Sequence, residues 1–303
     1  MPGKVAVIPN GRVWGDKGVV ITPDHKVLKS VTRAVIDKEI KSLPGPRITR
    51  KTVGVLTFKY THNYFHWMMD VLPRIQLIRK SGIPIDRYII SKPGSFPYEE
   101  TLDRLGIPMK KVWIADSPEF HMEANRLVVT DTLSRWGSHS HVYPQWACDF
   151  IRDQFLDPNK KPSRAYERIY ISRTHASRRR ITNEDALIRL LQKYGFRCIY
   201  PEQLSQAEQA HIFHSAKVIV SPHGAALTNL VFAKPGTTLL ELFSPKYVRE
   251  YYWIISSYMK LNYYYLIGDR DLTHRPEKEL AEDMKIDVTS VKELLQKAGI
   301  DRR

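Results

Sequence analysis

The stretch KVIVSPHGAALTNLVFAKPGTTLLELF, residues 217–243, contains two runs of β-branched and aliphatic residues, with a loop and a compact apolar segment between them. The first run, KVIVS (217–221), and the second, TLLELF (238–243), are typical of buried strands. The segment from about Leu227 to Phe232 predicts a short helix. A strand, a helix and a second strand in this order predict two parallel strands joined by a helical crossover.

The same alternation continues on both sides of this stretch. Further strands are predicted at RIYIS (168–172), FRCIY (196–200) and NYYYLIG (262–268). Gly195 ends the helix predicted between the first two of these strands, and Ser205 and Glu208 form a capping box for the next helix. Five strands alternating with helices predict a doubly wound parallel sheet, so the fold class is α/β.

The first half of the chain predicts a second, less regular set of strands and helices. Strands are predicted at 51–59, 87–91 and 111–115, after early strands within 18–28. The segment NYFHWMMDVLPRIQLIRKSG predicts a helix from about Asn63 to Lys80. We expect this helix to bend at Pro73, because proline cannot donate the helical backbone hydrogen bond.

The length of 303 residues exceeds that of most single domains, which predicts two domains. The polar, proline-bearing segment 156–167 is the predicted link. We therefore expect an N-terminal, acceptor-side α/β domain at residues 1–160 and a C-terminal, Rossmann-like domain at 161–303, with a cleft between them. Residues 270–303 could pack back on the N-terminal domain.

The composition favours a protein that meets anionic partners. The formal net charge is +15 and the pI is near 9.7, which suits phosphorylated small molecules, an anionic membrane surface or nucleic acid. No apolar run is long enough to span a membrane, and the first ten residues lack the apolar core of a secretory signal. The two cysteines, Cys148 and Cys198, indicate a reducing compartment. We expect a cytoplasmic protein with peripheral contact to the inner face of the membrane.

Polar residues gather where the predicted parallel strands end. Ligands of such sheets bind at the carboxyl ends of strands, where the N-termini of the following helices offer free N–H groups to anions. In the loop SPHGAALTN, Gly224 and Ala225 let a phosphate or a sugar approach the backbone. The side chains of His223, Thr228 and Asn229 add polar groups to the same loop.

Two neighbouring strand ends open onto the same edge. Arg173 follows one of them, and a guanidinium pairs with phosphate through two parallel hydrogen bonds. Glu241 lies near the other end, where its carboxylate could accept both ribose hydroxyls. Arg178 and Arg180 are further candidates for the phosphates. Together these residues predict a nucleoside diphosphate site, although each alone also fits a tight turn or a structural carboxylate.

Four segments carry a family resemblance. Three lie in the second half, YISR (170–173), RRRITNED (178–185) and HGAALTNLVFAKPGTTLLEL (223–242), and the fourth is NYFHWMMDVLPR (63–74). Together they resemble glycosyltransferase family 61, in which the fourth corresponds to an N-x-x-H-x-x-x-D helix. The resemblance runs from about Val53 to Phe243.

The resemblance implies a GT-B fold of two facing Rossmann-like domains and a nucleotide-sugar donor, commonly UDP-linked. It also implies transfer that inverts the anomeric centre without a metal, and a glycan or lipid-linked acceptor with Asn63 on its side. No cofactor is expected beyond the nucleotide sugar as co-substrate. Bacterial members act in capsular polysaccharide synthesis, whereas eukaryotic members carry a secretory-pathway anchor that is not seen in this sequence. We therefore expect a bacterial cytoplasmic enzyme.

Inverting transfer needs a base that takes a proton from the acceptor hydroxyl, and positive charge that stabilises the departing diphosphate. His66 and Asp70 lie four residues apart on the predicted helix and therefore share a face. Asp70 is the preferred base, with His66 positioning the acceptor; in the alternative, His66 is the base and Asp70 orients it. An ordinary helix-surface pair, or a core histidine satisfied by a carboxylate, is the structural alternative.

Other functions fit parts of the sequence. Asp269 and Asp271 follow an apolar strand, as in metal-dependent glycosyltransferases, but only a short tail comes after them, so no metal is predicted. A non-catalytic nucleotide-sugar binding protein would keep the loop HGAALTN without requiring both His66 and Asp70. A nucleic-acid-binding protein would explain the charge, but the basic run 164–180 lacks the interleaved aromatics of such surfaces.

Overall fold

A computed structural model describes residues 3–32, 40–133, 135–136, 141–271 and 279–302. The chain divides into two compact units, Met1–Gln154 and Phe155–Arg303, which we call unit 1 and unit 2. The division falls a few residues before the predicted link. Among the described residues, no helix combines the length and the apolar character that crossing a membrane requires.

Unit 1 is built around a six-stranded sheet. Its strands are β1 (Val5–Trp14), β2 (Val19–Ile21), β3 (Arg47–Val55), β4 (Arg87–Ser91), β5 (Val112–Ala115) and β6 (His121–Thr130), in the order β2-β1-β6-β3-β4-β5. Strands β6, β3, β4 and β5 are parallel, whereas β1 is antiparallel to both of its neighbours. The expectation of a Rossmann-like sheet in this half is therefore wrong for β1 and β2. A short hairpin of β7 (Arg135–Trp136) and β8 (His141–Val142) follows.

The helices of unit 1 include the predicted segment that carries His66 and Asp70. They are α1 (Lys29–Thr32), α2 (Tyr64–His66), α3 (Leu72–Lys80), α4 (Tyr98–Arg104) and α5 (Gln145–Phe155), with 3₁₀ turns at Ile40–Ser42 and Met109–Lys111. A π-helical turn, Trp67–Val71, joins α2 to α3. Such turns often occur at functional sites. The irregularity thus lies just before Pro73, which occupies the first turn of α3, where its missing N–H costs least.

Unit 2 contains an all-parallel sheet. Its strands are β9 (Arg168–Ile171), β10 (Arg197–Ile199), β11 (Val218–Pro222), β12 (Thr238–Phe243) and β13 (Asn262–Ile267), in the order β10-β9-β11-β12-β13. The five strands predicted for this half are confirmed. The sheet order reverses between β9 and β11, because β10 lies on one side of β9 and the later strands lie on the other. Ligands of doubly wound sheets bind at the carboxyl ends of strands at such a reversal.

The remaining elements of unit 2 surround this sheet. The helices are α6 (Glu184–Gln192), α7 (Gln206–Ser215), α8 (Tyr251–Tyr258) and α9 (Val288–Lys297), with 3₁₀ helices at Arg164–Tyr166, Pro201–Gln203, Ala225–Phe232 and Glu279–Ala281. The short strands β14 (Asp269–Arg270) and β15 (Met284–Lys285) pair antiparallel. The predicted capping box of Ser205 and Glu208 is present at α7, and Gly195 ends the α6 segment with a positive φ of 73°.

The C-terminal tail belongs to unit 2. Val291, Leu295 and Ile300 are buried in one apolar cluster with Leu187 and Leu191 of α6. Helix α9 presents this apolar stripe to α6, so its burial explains where the tail lies. Whether residues 270–303 also pack on the N-terminal domain stays a prediction; residues 272–278 and 303 lie outside the described residues.

Candidate active site

The ends of β9 and β11 bring Arg173 and Gly224 into contact. A Cβ atom built on Gly224 would lie 3.0 Å from Cζ of Arg173 and closer still to its Nη1. Gly224 has an extended φ of −176°, so the position needs glycine for space and not for backbone conformation. The sequence prediction that these two residues share one sheet edge is consistent with this contact.

A buried carboxylate holds the end of β9. Glu184 Oε1 accepts hydrogen bonds from the Tyr170 hydroxyl at 2.6 Å, the Ser172 hydroxyl at 3.0 Å and the Arg173 backbone N–H at 3.3 Å. Because Glu184 is the first residue of α6, its negative charge also suits the helix N-terminus. These bonds fix the backbone from which the Arg173 side chain extends.

Arg173 lies beside a second guanidinium, that of Arg179. Nε of each arginine is buried and has no hydrogen-bond partner among the described residues. Burial, followed by the charge of Arg179, lowers the pKa of Arg173 to about 10. The Arg179 guanidinium lies over the Tyr247 ring at 4.3 Å. Two desolvated cations with unused donors form a site that an anion would stabilise.

The sequence predicted phosphate contacts for Arg178 and Arg180 but not for Arg179, which lies between them. Arg180 donates to the Asp283 carboxylate from Nε at 3.0 Å and Nη2 at 2.7 Å, so its side chain is committed to an ion pair. Arg178 is exposed, and its carbonyl accepts a hydrogen bond from Arg173 Nη2 at 3.0 Å. Arg179 turns inward with a positive φ of 53°. The sequence of the run 178–180 does not predict this backbone conformation at Arg179.

Two other side chains predicted to contact the donor have hydrogen-bond partners within the fold. Thr228 is wholly buried and donates to the Ala225 carbonyl at 2.6 Å. Asn229 is also wholly buried and donates to the Gln209 side chain at 2.8 Å. Both side chains hold the 3₁₀ helix that follows the loop, and their contact with a ligand stays a prediction without support from these bonds. Ala225 is half-buried, and its contact with a ligand stays a prediction.

Glu241 also differs from its predicted role. It is 0% exposed, and its two carboxylate oxygens accept from His223 Nδ1 at 2.5 Å and from the Tyr263 hydroxyl at 2.7 Å. A carboxylate enclosed in this way does not present its oxygens to a ribose, so the geometry does not support the predicted ribose contact. His223 is itself buried, and its ring packs on Phe243 at 5.1 Å and on Tyr252 at 5.0 Å.

His66 and Asp70 form a hydrogen-bonded pair in unit 1. His66 Nδ1 donates to Asp70 Oδ2 at 2.8 Å, and the Tyr143 hydroxyl donates to the same oxygen at 2.6 Å. The side chain of His66 is 18% exposed and that of Asp70 is 1% exposed. The geometry therefore favours His66 over Asp70 as the group that an acceptor reaches, and reverses the preference drawn from the sequence. Tyr143 was not predicted, because it lies far from the pair along the chain.

A buried arginine supports this pair from within the unit. Arg74 is 0% exposed and donates to the Thr57 and Val55 carbonyls at 2.9 Å each and to the Thr130 hydroxyl at 2.7 Å. Burial lowers the pKa of Arg74 to about 10, while the charge of Asp70 opposes that shift.

Asn63, predicted on the acceptor side, has a local structural partner. Asn63 Oδ1 accepts from the Phe65 N–H at 2.9 Å and so caps helix α2; its acceptor contact stays a prediction. Asp269 is an exposed residue of strand β14, and its neighbour Arg270 pairs with Glu282 through two hydrogen bonds of 2.9 and 2.5 Å.

The comparison with known proteins assigns the family. The family model Glycosyltransferase 61 matches residues 64–240, which is more than half of the chain. The chain therefore belongs to glycosyltransferase family 61. The matched range contains both His66 with Asp70 and the loop at Gly224.

Three curated relatives are similar over shorter stretches. The xylan glycosyltransferase MUCI21 of Arabidopsis thaliana is 34% identical over 67 residues, which are 21% of this chain and 14% of that protein. The β-1,2-xylosyltransferase RCN11 of Oryza sativa subsp. japonica is 38% identical over 20% of this chain and 11% of its own length. A β-1,2-xylosyltransferase of Arabidopsis thaliana is 32% identical over 27% of this chain and 16% of its own length. The matches thus span 11–16% of these relatives.

Proposed function

We propose that the protein transfers a sugar from a nucleotide sugar, UDP-linked, to a hydroxyl group of a glycan, with inversion at the anomeric carbon. The observation that carries the proposal is the pair Arg173 and Arg179, whose buried Nε atoms have no hydrogen-bond partner in the described part of the chain. They lie at the reversal of strand order, where a parallel sheet binds its ligand. A diphosphate would supply both the negative charge and the acceptors that these guanidiniums lack.

The chemistry follows from these charges. The acceptor oxygen attacks the anomeric carbon, the bond from that carbon to the diphosphate oxygen breaks, and the electron pair leaves with the diphosphate. The two guanidiniums stabilise that developing charge, so the proposal needs no metal ion. The GT-B arrangement implied by the resemblance is part of this proposal.

His66 is the proposed base. Its imidazole takes the proton of the attacking hydroxyl, and the Asp70 carboxylate at 2.8 Å stabilises the imidazolium that forms. The Tyr143 hydroxyl holds the carboxylate in place through its hydrogen bond of 2.6 Å. Asp70 therefore acts through His66 and does not contact the acceptor.

The names of the relatives suggest which sugar to test first. Because the similar plant proteins are described as a xylan glycosyltransferase and as xylosyltransferases, UDP-xylose is the proposed first donor, with UDP-hexoses as the comparison. The proposed acceptor is a glycan, free or lipid-linked, of a surface polysaccharide. The net charge of +15 supports peripheral contact with an anionic membrane that carries such an acceptor.

Calorimetry with UDP and uridine tests the donor site. Arg179→Ala should weaken UDP binding about ten- to a hundredfold, because a hydrogen bond to a charged group contributes about 1.5–3 kcal/mol, and should leave uridine binding unchanged. Arg180→Ala is the matched control, since that arginine pairs with Asp283, and should leave both affinities unchanged. Equal UDP binding by Arg179→Ala and the parent would contradict the site.

A turnover assay separates transfer from simple binding. Release of UDP from a UDP-sugar in the presence of a glycan acceptor is the expected result. Tight UDP binding without turnover of any donor in a full panel would favour the non-catalytic binding protein. Salt-sensitive binding of an oligonucleotide with no response to UDP would favour a nucleic-acid-binding protein.

A further inference from the structure

We infer that Glu241 is a positioning residue that keeps His223 protonated on both ring nitrogens, so that the His223 imidazolium is a third cation for the diphosphate. The inference rests on the proposed function and deepens it, because it concerns how the same site holds its phosphates. It replaces the ribose contact that the sequence suggested for Glu241.

The first argument is the burial of Glu241. An ionised carboxylate that is wholly buried is unstable unless a positive charge and hydrogen bonds compensate for the lost water. The hydrogen bonds to Glu241 come from His223 and Tyr263, and of these two partners only the imidazole of His223 can carry a positive charge. A phenol hydroxyl stays neutral, because burial, followed by the charge of Glu241, raises the pKa of Tyr263. The compensating charge therefore falls to the imidazole of His223.

The second argument is the position of the ring. Nδ1 of His223 is taken by Glu241, and its other nitrogen has no hydrogen-bond partner within the described residues. A doubly protonated ring therefore keeps one N–H donor available for a ligand. The backbone N–H of His223 is bonded to the Leu242 carbonyl at 2.8 Å, which fixes the residue at the end of β11.

The third argument is the proximity of His223 to the two arginines. Its ring lies 5.3 Å from the Tyr247 ring, over which Arg179 is placed. The next residue along the chain, Gly224, touches Arg173. The imidazole thus lies one aromatic ring away from Arg179, and it belongs to the residue that precedes the Arg173 contact. The charged and titratable side chains around it are Glu241, Arg173, Arg179, Tyr247, Tyr251 and Tyr252.

The direct test is ¹⁵N NMR of the parent protein with labelled histidine, because the spectrum distinguishes protonated from unprotonated ring nitrogens. With UDP bound, both nitrogens of His223 should carry protons. In Glu241→Gln, which keeps the shape of the side chain and removes its charge, one nitrogen should lose its proton. A neutral His223 in the parent complex overturns the inference, and this measurement does not depend on how well any variant folds.

Binding measurements provide the second test. Glu241→Gln should weaken UDP about tenfold, because a charge-assisted hydrogen bond becomes a neutral one, and should leave uridine unchanged. Tyr263→Phe is the control: it removes the other hydrogen bond to Glu241 but not the charge, so UDP affinity should change by less than about threefold. An equal loss of UDP and uridine in Glu241→Gln would restore the ribose contact and overturn the inference.

The inference and the proposed function fail in different ways. If the folded parent protein does not bind UDP, the proposed function fails. If the parent binds UDP through Arg179 and Glu241→Gln binds it equally well, the function stands and the inference is overturned. Equal effects of Glu241→Gln and Tyr263→Phe would also overturn it, because packing and not charge would then explain both.

Discussion

Gly224→Ala probes the donor site with a single methyl group. The added Cβ would lie 3.0 Å from Cζ and 3.4 Å from Cδ of Arg173, whereas non-bonded carbons are comfortable at about 3.5–4.0 Å. The extended backbone of Gly224 accepts alanine without strain, so the arginine is the part that moves. A displacement of about 1 Å is enough to break a well-aligned contact with phosphate.

The expected loss follows from that displacement. One charge-assisted hydrogen bond contributes about 1.5–3 kcal/mol, so the variant should bind UDP about ten- to a hundredfold more weakly by calorimetry, with uridine affinity and melting temperature nearly unchanged. Gly45→Ala is the matched control, because a Cβ there meets nothing within 4 Å. In an Arg173→Ala background the Gly224 substitution should have no further effect. UDP binding by Gly224→Ala equal to that of the parent would refute the placement of the diphosphate at Arg173.

Four further outcomes are expected. His66→Ala and Asp70→Asn should each lower kcat about a hundredfold or more with UDP affinity intact, and Tyr143→Phe should lower kcat less. Unchanged turnover in His66→Ala would exclude His66 as the base. Activity should persist in excess EDTA, whereas rescue of a lost activity by Mn²⁺ would show a metal requirement. Leu295→Ala, at a site 1% exposed, should lower the free energy of unfolding by about 2–5 kcal/mol in denaturant titrations. Burial raises the pKa of Cys148 to about 12, so the thiol of the folded protein should resist alkylation, and rapid labelling would contradict this. Because the thiol ionises at lower pH in the unfolded chain, the free energy of unfolding should fall as the pH rises from about 9 towards 12.

The sheet of unit 2 could be predicted because its central strands β9, β11 and β12 are buried along most of their length and are therefore continuous apolar runs. Strand β12 shows the limit of the same signal. All six of its residues are buried, so the sequence does not tell on which side of the sheet Glu241 lies. In unit 1, β1 and β6 were missed because Asn10 with Gly11, and Glu123 with Asn125 and Arg126, interrupt their apolar patterns.

Site residues related by local spacing could be predicted, whereas those brought together by the tertiary fold could not. His66 and Asp70 were found because helical spacing alone brings them together. Tyr143 joins them only through the tertiary fold, and no local pattern links it to the helix. Arg179 was passed over for Arg178 and Arg180 because the direction of a loop side chain depends on one backbone dihedral. Predicting it requires the conformation of the turn and not the composition of the run.

At this site, a side chain that binds a ligand differs from a structural one in whether its hydrogen-bond donors already have partners within the fold. Arg74, Arg180 and Asn229 each reach partners that use their donors, so folding alone accounts for them. Arg173 and Arg179 bear like charges side by side with buried Nε atoms that the described part of the chain leaves unbonded, an arrangement that costs stability in the free protein. The carboxylate of Glu184 holds the backbone of Arg173 in that arrangement instead of neutralising its guanidinium. Two buried guanidiniums held rigidly beside each other are an arrangement that an anion would stabilise, which supports the proposed position of the diphosphate.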